Sequence, residues 1–494
     1  MTSTIDFYES DFSATLYPLK TNQILLKHHS QEMSEYIYQK VINPAYPTDS
    51  FLSQQKVFST KPKGHLRRTV KLDPVAEYFI YDVIYRNRKI FRPEVSESRK
   101  SFGYIFRNGS RIPIHVSYNE YKQSLKKYSE LYSHSIHFDI ASYFNSLYHH
   151  DIIHWFSSKE GVSPADVEAL GQFFREINSG RSIDFMPQGI YPAKMIGNEF
   201  LKFVDLHGRL KSAQIVRFMD DFTIFDNDIE TLNNDFIRIQ QLLGQVSLNI
   251  NPSKTTFDNV MGDVNETLTQ IKSSLKEIIT EYEHIPTASG VEVVETNIEI
   301  IKHLDDEQVN KLIDLLKDEK IEESDADLIL GFLRTHNDSL LSQMPMLLGR
   351  FPNLIKHIYT ICSGITDKSG LVKILLNYLN TNNNFLEYQL FWIGAIVEDY
   401  LLGVGEYGSV LHKLYELSSD FKIARAKVLE IPEQGFGFKE IRNEYLRTGQ
   451  SDWLSWSSAI GTRNLKSAER NYILDYFSKG SPINYLVASC VKKL

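Results

Sequence analysis

Arg217-Phe218-Met219-Asp220-Asp221-Phe222-Thr223-Ile224-Phe225 sets two adjacent carboxylates between apolar runs. Gln214–Met219 and Phe222–Phe225 are rich in β-branched and aromatic residues, so they read as two strands joined by Asp220-Asp221. Taken alone, an Asp-Asp pair is ordinary turn chemistry. Two like charges held between apolar strands are nevertheless costly, and a divalent cation would relieve the repulsion.

Upstream, Ile136–Ile140 reads as a strand, and Phe138-Asp139-Ile140-Ala141-Ser142-Tyr143-Phe144 carries a third carboxylate at its end, with a helix from about Tyr143. An Asp at one strand end and an Asp-Asp hairpin about eighty residues later resemble the palm layout of nucleotide polymerases. There two Mg²⁺ ions, with Mn²⁺ as a substitute, clamp the attacking and leaving oxygens of an in-line phosphoryl transfer.

Further motifs follow in order. Leu72-Asp73-Pro74-Val75 opens a helix with Asp73 as N-cap and Pro74 at its first position, running to about Arg88. Met186-Pro187-Gln188-Gly189-Ile190-Tyr191-Pro192 leads into a helix whose apolar face holds Ile196, Phe200 and Val204. Leu248-Asn249-Ile250-Asn251-Pro252-Ser253-Lys254-Thr255 follows the carboxylate hairpin. Across roughly residues 60–260 this series resembles the reverse transcriptases. The resemblance implies catalysis by Asp139, Asp220, Asp221 and Lys254, with Asp139, Ile140, Asp220 and Asp221 as the metal-binding set. It makes Phe144 the ring that excludes a 2′-hydroxyl, so that dNTPs are used, and places Gln188, Gly189 and Phe218 against the nucleotide. Lys63, Arg67, Arg68 and Arg99 become the triphosphate contacts.

The overall balance of 54 Lys+Arg against 62 Asp+Glu, a net charge of −8, would argue against a nucleic-acid partner. By region it does not. Residues 51–130 hold 17 Lys/Arg and 7 Asp/Glu, a local +10, whereas residues 281–330 hold 4 Lys and 15 Asp/Glu, a local −11. In Tyr85-Arg86-Asn87-Arg88-Lys89-Ile90-Phe91-Arg92 cations alternate with aromatics, a mixture suited to phosphates and bases. Two cysteines, Cys362 and Cys490, exclude a disulfide framework or a cysteine zinc site. We expect a soluble, cytoplasmic protein: the N-terminus lacks a basic, then apolar leader, and Glu398-Asp399 interrupts the most apolar run, Leu390–Gly405.

The expected organisation is an N-terminal segment (1–60), fingers (61–135), an antiparallel palm sheet with helices (136–260), a connector helix and linker (261–290), and an all-α C-terminal domain (291–494). Apolar spacing predicts helix cores at Val309–Leu316, Ala326–Leu333, Leu354–Cys362, Leu371–Leu379, Phe385–Val397 and Val410–Leu417, similar to degenerate HEAT-type hairpins. No thumb is recognisable after Lys254, and Ile190-Tyr191-Pro192 departs from the Ser-Pro pair many reverse transcriptases carry there. An α+β palm and fingers followed by helical repeats in place of a thumb is similar to the abortive-infection (Abi) polymerases of bacteria and prophages. That resemblance implies template-independent, protein-primed DNA synthesis in phage defence, a covalently attached single-stranded DNA product, and a trimeric or hexameric ring. An RNA-templated reverse transcriptase and a nucleotide-sensing scaffold are the alternatives. A priming phenol would come from Tyr8, Tyr17, Tyr36, Tyr38 or Tyr46, with Tyr8 favoured because its acidic surroundings read as flexible.

Overall fold

The computed structural model describes residues 3–42, 48–92, 96–107, 109–179, 186–258, 304–318, 321 and 323–494, with backbone alone at 285–287, 290–292 and 324. Asp73 caps α3 (Pro74–Arg86) as its sequence predicts, accepting the Val75 and Ala76 N–H groups at 2.9 Å. Before it come α1 (Thr4–Phe12), α2 (Lys20–Tyr36) and a hairpin of β1 (Gln55–Thr60) with β2 (Leu66–Lys71). This hairpin straddles the expected boundary at 60/61, because strand pairing follows the turn rather than the charge change.

The palm is a five-stranded sheet in the order β3 (Arg99–Phe102), β7 (Gln214–Phe218), β8 (Asp221–Asp226), β6 (His134–Asp139), β9 (Thr256–Phe257). β4 (Phe106–Arg107) and β5 (Ser110–Arg111) form a separate small hairpin. Two expectations need correction. β3 runs parallel to β7, so the sheet is mixed rather than antiparallel, and β3 belongs to the palm although it lies within the fingers segment. A parallel neighbour has to come from far away in the chain, and no local pattern announces it.

Side-chain alternation then divides the sheet. On one face Phe138 stacks on Phe222 at 5.3 Å and meets Phe236 of α10 (Ile229–Gln245) at 5.2 Å. On the other, Phe218 packs against Tyr118 and Tyr121 of α4 (Ile114–Leu131). α5 (Tyr143–Ser146), α6 (His149–Ser157), α7 (Pro164–Ile177), α8 (Tyr191–Phe200) and α9 (Lys202–Asp205) fill the chain between β6 and β7.

The connector helix expected at Glu266–Glu281 lies outside the described residues; where a loop was expected, Ile285–Thr287 pairs with Gly290–Glu292. Every helix core predicted beyond it lies in or overlaps a helix, from Asp306–Lys317 to Tyr407–Leu417, and further helices run to Pro482–Lys493. Many of these helices pack on the one two places along, as Ile355–Gly364 does on Glu387–Ile396 and Lys422–Glu430 on Trp453–Gly461, giving a two-layered stack. The stack leans on β1 and α2: Tyr17 meets Tyr388 and Phe391 edge-on at 5.5 and 5.0 Å. Cys362 and Cys490 are buried free thiols. No helix among the described residues is long and apolar enough to cross a membrane.

Candidate active site

Cross-strand register brings the carboxylates together. Asp139, the last residue of β6, is paired with Asp221, the first of β8, and directly paired residues point to the same face. Asp220 is not on a strand: it lies in the two-residue turn after Met219, which takes a left-handed φ of 56°. The turn is therefore what lets adjacent carboxylates serve one place.

Arg217 pins that turn. Fully buried, its guanidinium donates to Asp205 of α9, to Asn198 of α8 and, at 2.7 Å, to the carbonyl oxygen of Met219. The functional reading of the sequence missed this residue, although an arginine inside Ile215-Val216-Arg217-Phe218 is signal enough, since a charge in an apolar strand needs a buried partner.

Lys254 reaches Asp139 through main-chain pairing: Asn251 N–H donates to the Asp139 carbonyl and Ala141 N–H to that of Asn249, both at 2.8 Å. These bonds flank the bridge between Ile140 and Ile250 and set Lys254 Nζ 2.7 Å from Asp139 Oδ2. Burial alone would lower the Lys254 pKa, but the hydrogen bond to Asp139 and all three carboxylates raise it. Burial raises Asp220 and Asp221 above the usual carboxylate range, and mutual repulsion with Asp139 adds to it.

The expected metal-binding carboxylates share one end of the sheet without closing into an ion-binding cluster. Among the described residues no three His, Cys, Asp or Glu side chains are grouped to hold an ion. The ammonium of Lys254 offsets part of the negative charge there by pairing with Asp139. The donor chemistry still suits a hard divalent ion: three carboxylates share one end of the sheet, and Asp139 Oδ1 is buried with no hydrogen-bond partner.

On β2, alternation sends Arg67 and Thr69 to the palm side and Arg68 to the other. Thr69 donates to the Gln188 carbonyl at 2.8 Å, and Arg67 faces Asp220, with Tyr388 of the helical stack and Tyr104 also acting on it. Lys61, absent from the sequence candidates, feels Arg67, Lys254, Asp220 and Asp139. Gln188 is buried with Oε1 unpartnered, and Gly189 has a φ of 99°. Phe144 is buried beneath α8, so close to Gly197 that a Cβ there would lie 2.9 Å from its ring.

Several expectations are corrected. Arg68 projects from the opposite face of β2. Arg99 begins β3, three residues before the end that pairs with Phe218, and bonds the carbonyls of Ser98 and Leu210. Lys63 stands at the exposed hairpin tip, its N–H donated to Glu323. Phe218 is enclosed by Tyr118 and Tyr121 and lines core rather than pocket. Tyr8 is fully buried in a capped helix, its ring 5.1 Å from that of Tyr81, and burial beside Glu77 pushes its phenol well above the ordinary range. A buried phenol in a capped helix does not match the flexible segment expected there. Tyr17 is likewise buried and donates to the Phe58 carbonyl, while Tyr46 lies outside the described residues.

The mixed sheet, with three carboxylates at one end and a basic hairpin beside it, lies in a segment whose family match indicates a polymerase-type enzyme. Residues 92–281 match the family model for reverse transcriptase (RNA-dependent DNA polymerase). No curated protein matches the chain. Among solved structures, telomerase from Candida albicans with a TWJ fragment of telomeric RNA is similar at 11% identity and a TM-score of 0.27, covering 74% of this chain and 62% of that one. Apo telomerase from Candida tropicalis is similar at 11% identity and a TM-score of 0.33, covering 87% and 73%. This chain thus spans less than two thirds of the first relative's length.

Proposed function

We propose that this protein is a DNA polymerase of the reverse-transcriptase type that joins dNTPs by metal-assisted phosphoryl transfer. The observation that carries the reading is the pairing of Asp139 with Asp221 beside a pinned turn bearing Asp220, opposite the fingers cation Arg67. Asp139, Asp220 and Asp221 would hold Mg²⁺, which supplies activation of the attacking hydroxyl and neutralises charge on the leaving pyrophosphate. Arg67 and Lys61 give the triphosphate positive charge. Lys254, held protonated, donates to the pyrophosphate as it leaves. Gln188 and Gly189 would form one wall, and Phe144, packed beneath α8, would be the ring that bars a 2′-hydroxyl.

Template independence, protein priming, a ring-shaped homo-oligomer and a role in phage defence complete the proposal, on the strength of the resemblance to Abi polymerases. A helical stack seated on the fingers hairpin, where it adds Tyr388 near Arg67, suits a polymerase whose product path is not a duplex grip.

Purified protein with Mg²⁺ and dNTPs, given neither template nor primer, should yield DNA that survives denaturation and is released by protease. Peptide mapping of that adduct identifies the priming residue. Asp220→Asn should lower synthesis by at least about 1,000-fold, the scale of losing a metal ligand in the transition state. Product only with added RNA replaces this reading by the templated one, and no product under either condition removes both.

A further inference from the structure

We infer that Asp11, far from the motifs in sequence, is a positioning residue for the nucleotide-binding turn Gln188–Gly189. The inference rests on the polymerase reading and extends it to the N-terminal segment.

α8 begins at Tyr191 without a cap of its own, since Ile190 offers no side-chain acceptor. Asp11 supplies one from 180 residues upstream: its Oδ2 accepts the Tyr191 N–H at 2.7 Å. The same carboxylate accepts the Tyr81 hydroxyl of α3 and is 1% exposed. A carboxylate at a helix start satisfies an otherwise orphan N–H and complements the helix dipole. Here it also ties α8 to the fingers helix.

Neighbouring contacts act in the same direction. Leu16 closes on the turn so tightly that a Cβ on Gly189 would fall 2.6 Å from Leu16 Cγ. Arg111 donates to the Ser10 carbonyl and lies 5.2 Å over the Tyr191 ring. Phe7 anchors α1 among Tyr81, Phe106 and Tyr191, at ring distances of 5.2, 5.3 and 5.7 Å. From the other side Thr69 holds the Gln188 carbonyl. The turn is gripped between β2 and residues 11–16, which leaves Gln188 Oε1 as its unpartnered buried atom. Segment 3–17 is thus part of the nucleotide wall and not a tether.

The test is steady-state dNTP incorporation by the full chain with Mg²⁺, with amide hydrogen exchange over residues 186–192 read in parallel. Asp11→Ala should raise KM for dNTP about 5–10-fold, the loss expected of a capping carboxylate, with kcat within about 3-fold. Exchange at the turn should quicken. Asp11→Asn keeps an acceptor for the Tyr191 N–H and should stay within about 3-fold of wild type. Where Asp11→Ala does not fold, Leu16→Ala, which removes the grip on Gly189, should give the same KM shift. A folded Asp11→Ala with unchanged KM and unchanged exchange overturns the inference, as does Asn behaving like Ala. An inactive wild type overturns the polymerase reading instead, while exchange at 186–192 still decides whether Asp11 holds the turn.

Discussion

At the scale of single residues, sign and direction matter more than identity. Arg67 and Arg68 are adjacent arginines on β2 and look equivalent in the sequence, yet alternation sends only Arg67 toward Asp220. Arg67→Ala should raise KM for dNTP about 10-fold, the scale of a charge-assisted hydrogen bond, while Arg68→Ala stays within about 2-fold. Steady-state kinetics of the two variants side by side checks this. Asp220 and Asp221 have raised pKa values, so the folded state holds their protons more tightly than the unfolded chain does. Their contribution to stability is therefore greatest below the ordinary carboxylate range and falls as pH climbs through the raised values. In chelator, Asp221→Asn should flatten that decline and raise the melting temperature at pH 8 by roughly 1–3 °C. Calorimetry from pH 5 to 8 measures it, and saturating Mg²⁺ should reverse the order at pH 8 by stabilising the wild type.

Among elements, the turn before α8 has the least freedom. Gly189 takes a φ that L side chains rarely adopt, and Leu16 fills the space a Cβ would need. Gly189→Ala should cost about 1–3 kcal/mol in denaturant unfolding and weaken dNTP binding as well, because the two constraints act together. A loss of stability with KM unchanged would separate the turn from the nucleotide. The elements nearest the chemistry were the most legible from sequence: β6, β7, β8, α3 and α8 each carry a strand alternation, a cap or a helical face in a few residues. Phe218 and Arg99 were misread for one reason. A motif names a position but not the direction of its side chain, and Tyr118, Tyr121 and Leu210 decide those directions from other elements.

For the whole molecule, the helical stack and the N-terminal segment meet through buried charge. Glu430 accepts the N–H groups of Lys20 and Thr21 at the start of α2, and Lys427, 2% exposed, pairs with both Glu430 and Glu398. Lys20 and Arg463 approach Glu398 as well. Lys427→Met should cost about 3 kcal/mol, because Glu430 stays buried without its ammonium partner. Faster hydrogen exchange at the start of α2 would place the damage at this junction. Glu398-Asp399 stood out in the sequence only as an interruption of an apolar run; its partners are Lys20 near the N-terminus and Lys427 and Arg463 of the helical stack. From sequence alone came the reverse-transcriptase-like palm, the grouping of three carboxylates with Lys254, and the change to a mostly helical C-terminal region. Each is written in short-range patterns that the chain cannot hide. The tertiary structure alone decided that β3 joins the palm in parallel, that Arg217 holds the turn bearing Asp220, that Arg67 rather than Arg68 faces it, and that Tyr8 is core while Asp11 caps α8. Those are contacts between residues tens to hundreds of positions apart, and the free energy that selects them exists only once distant surfaces are buried against each other.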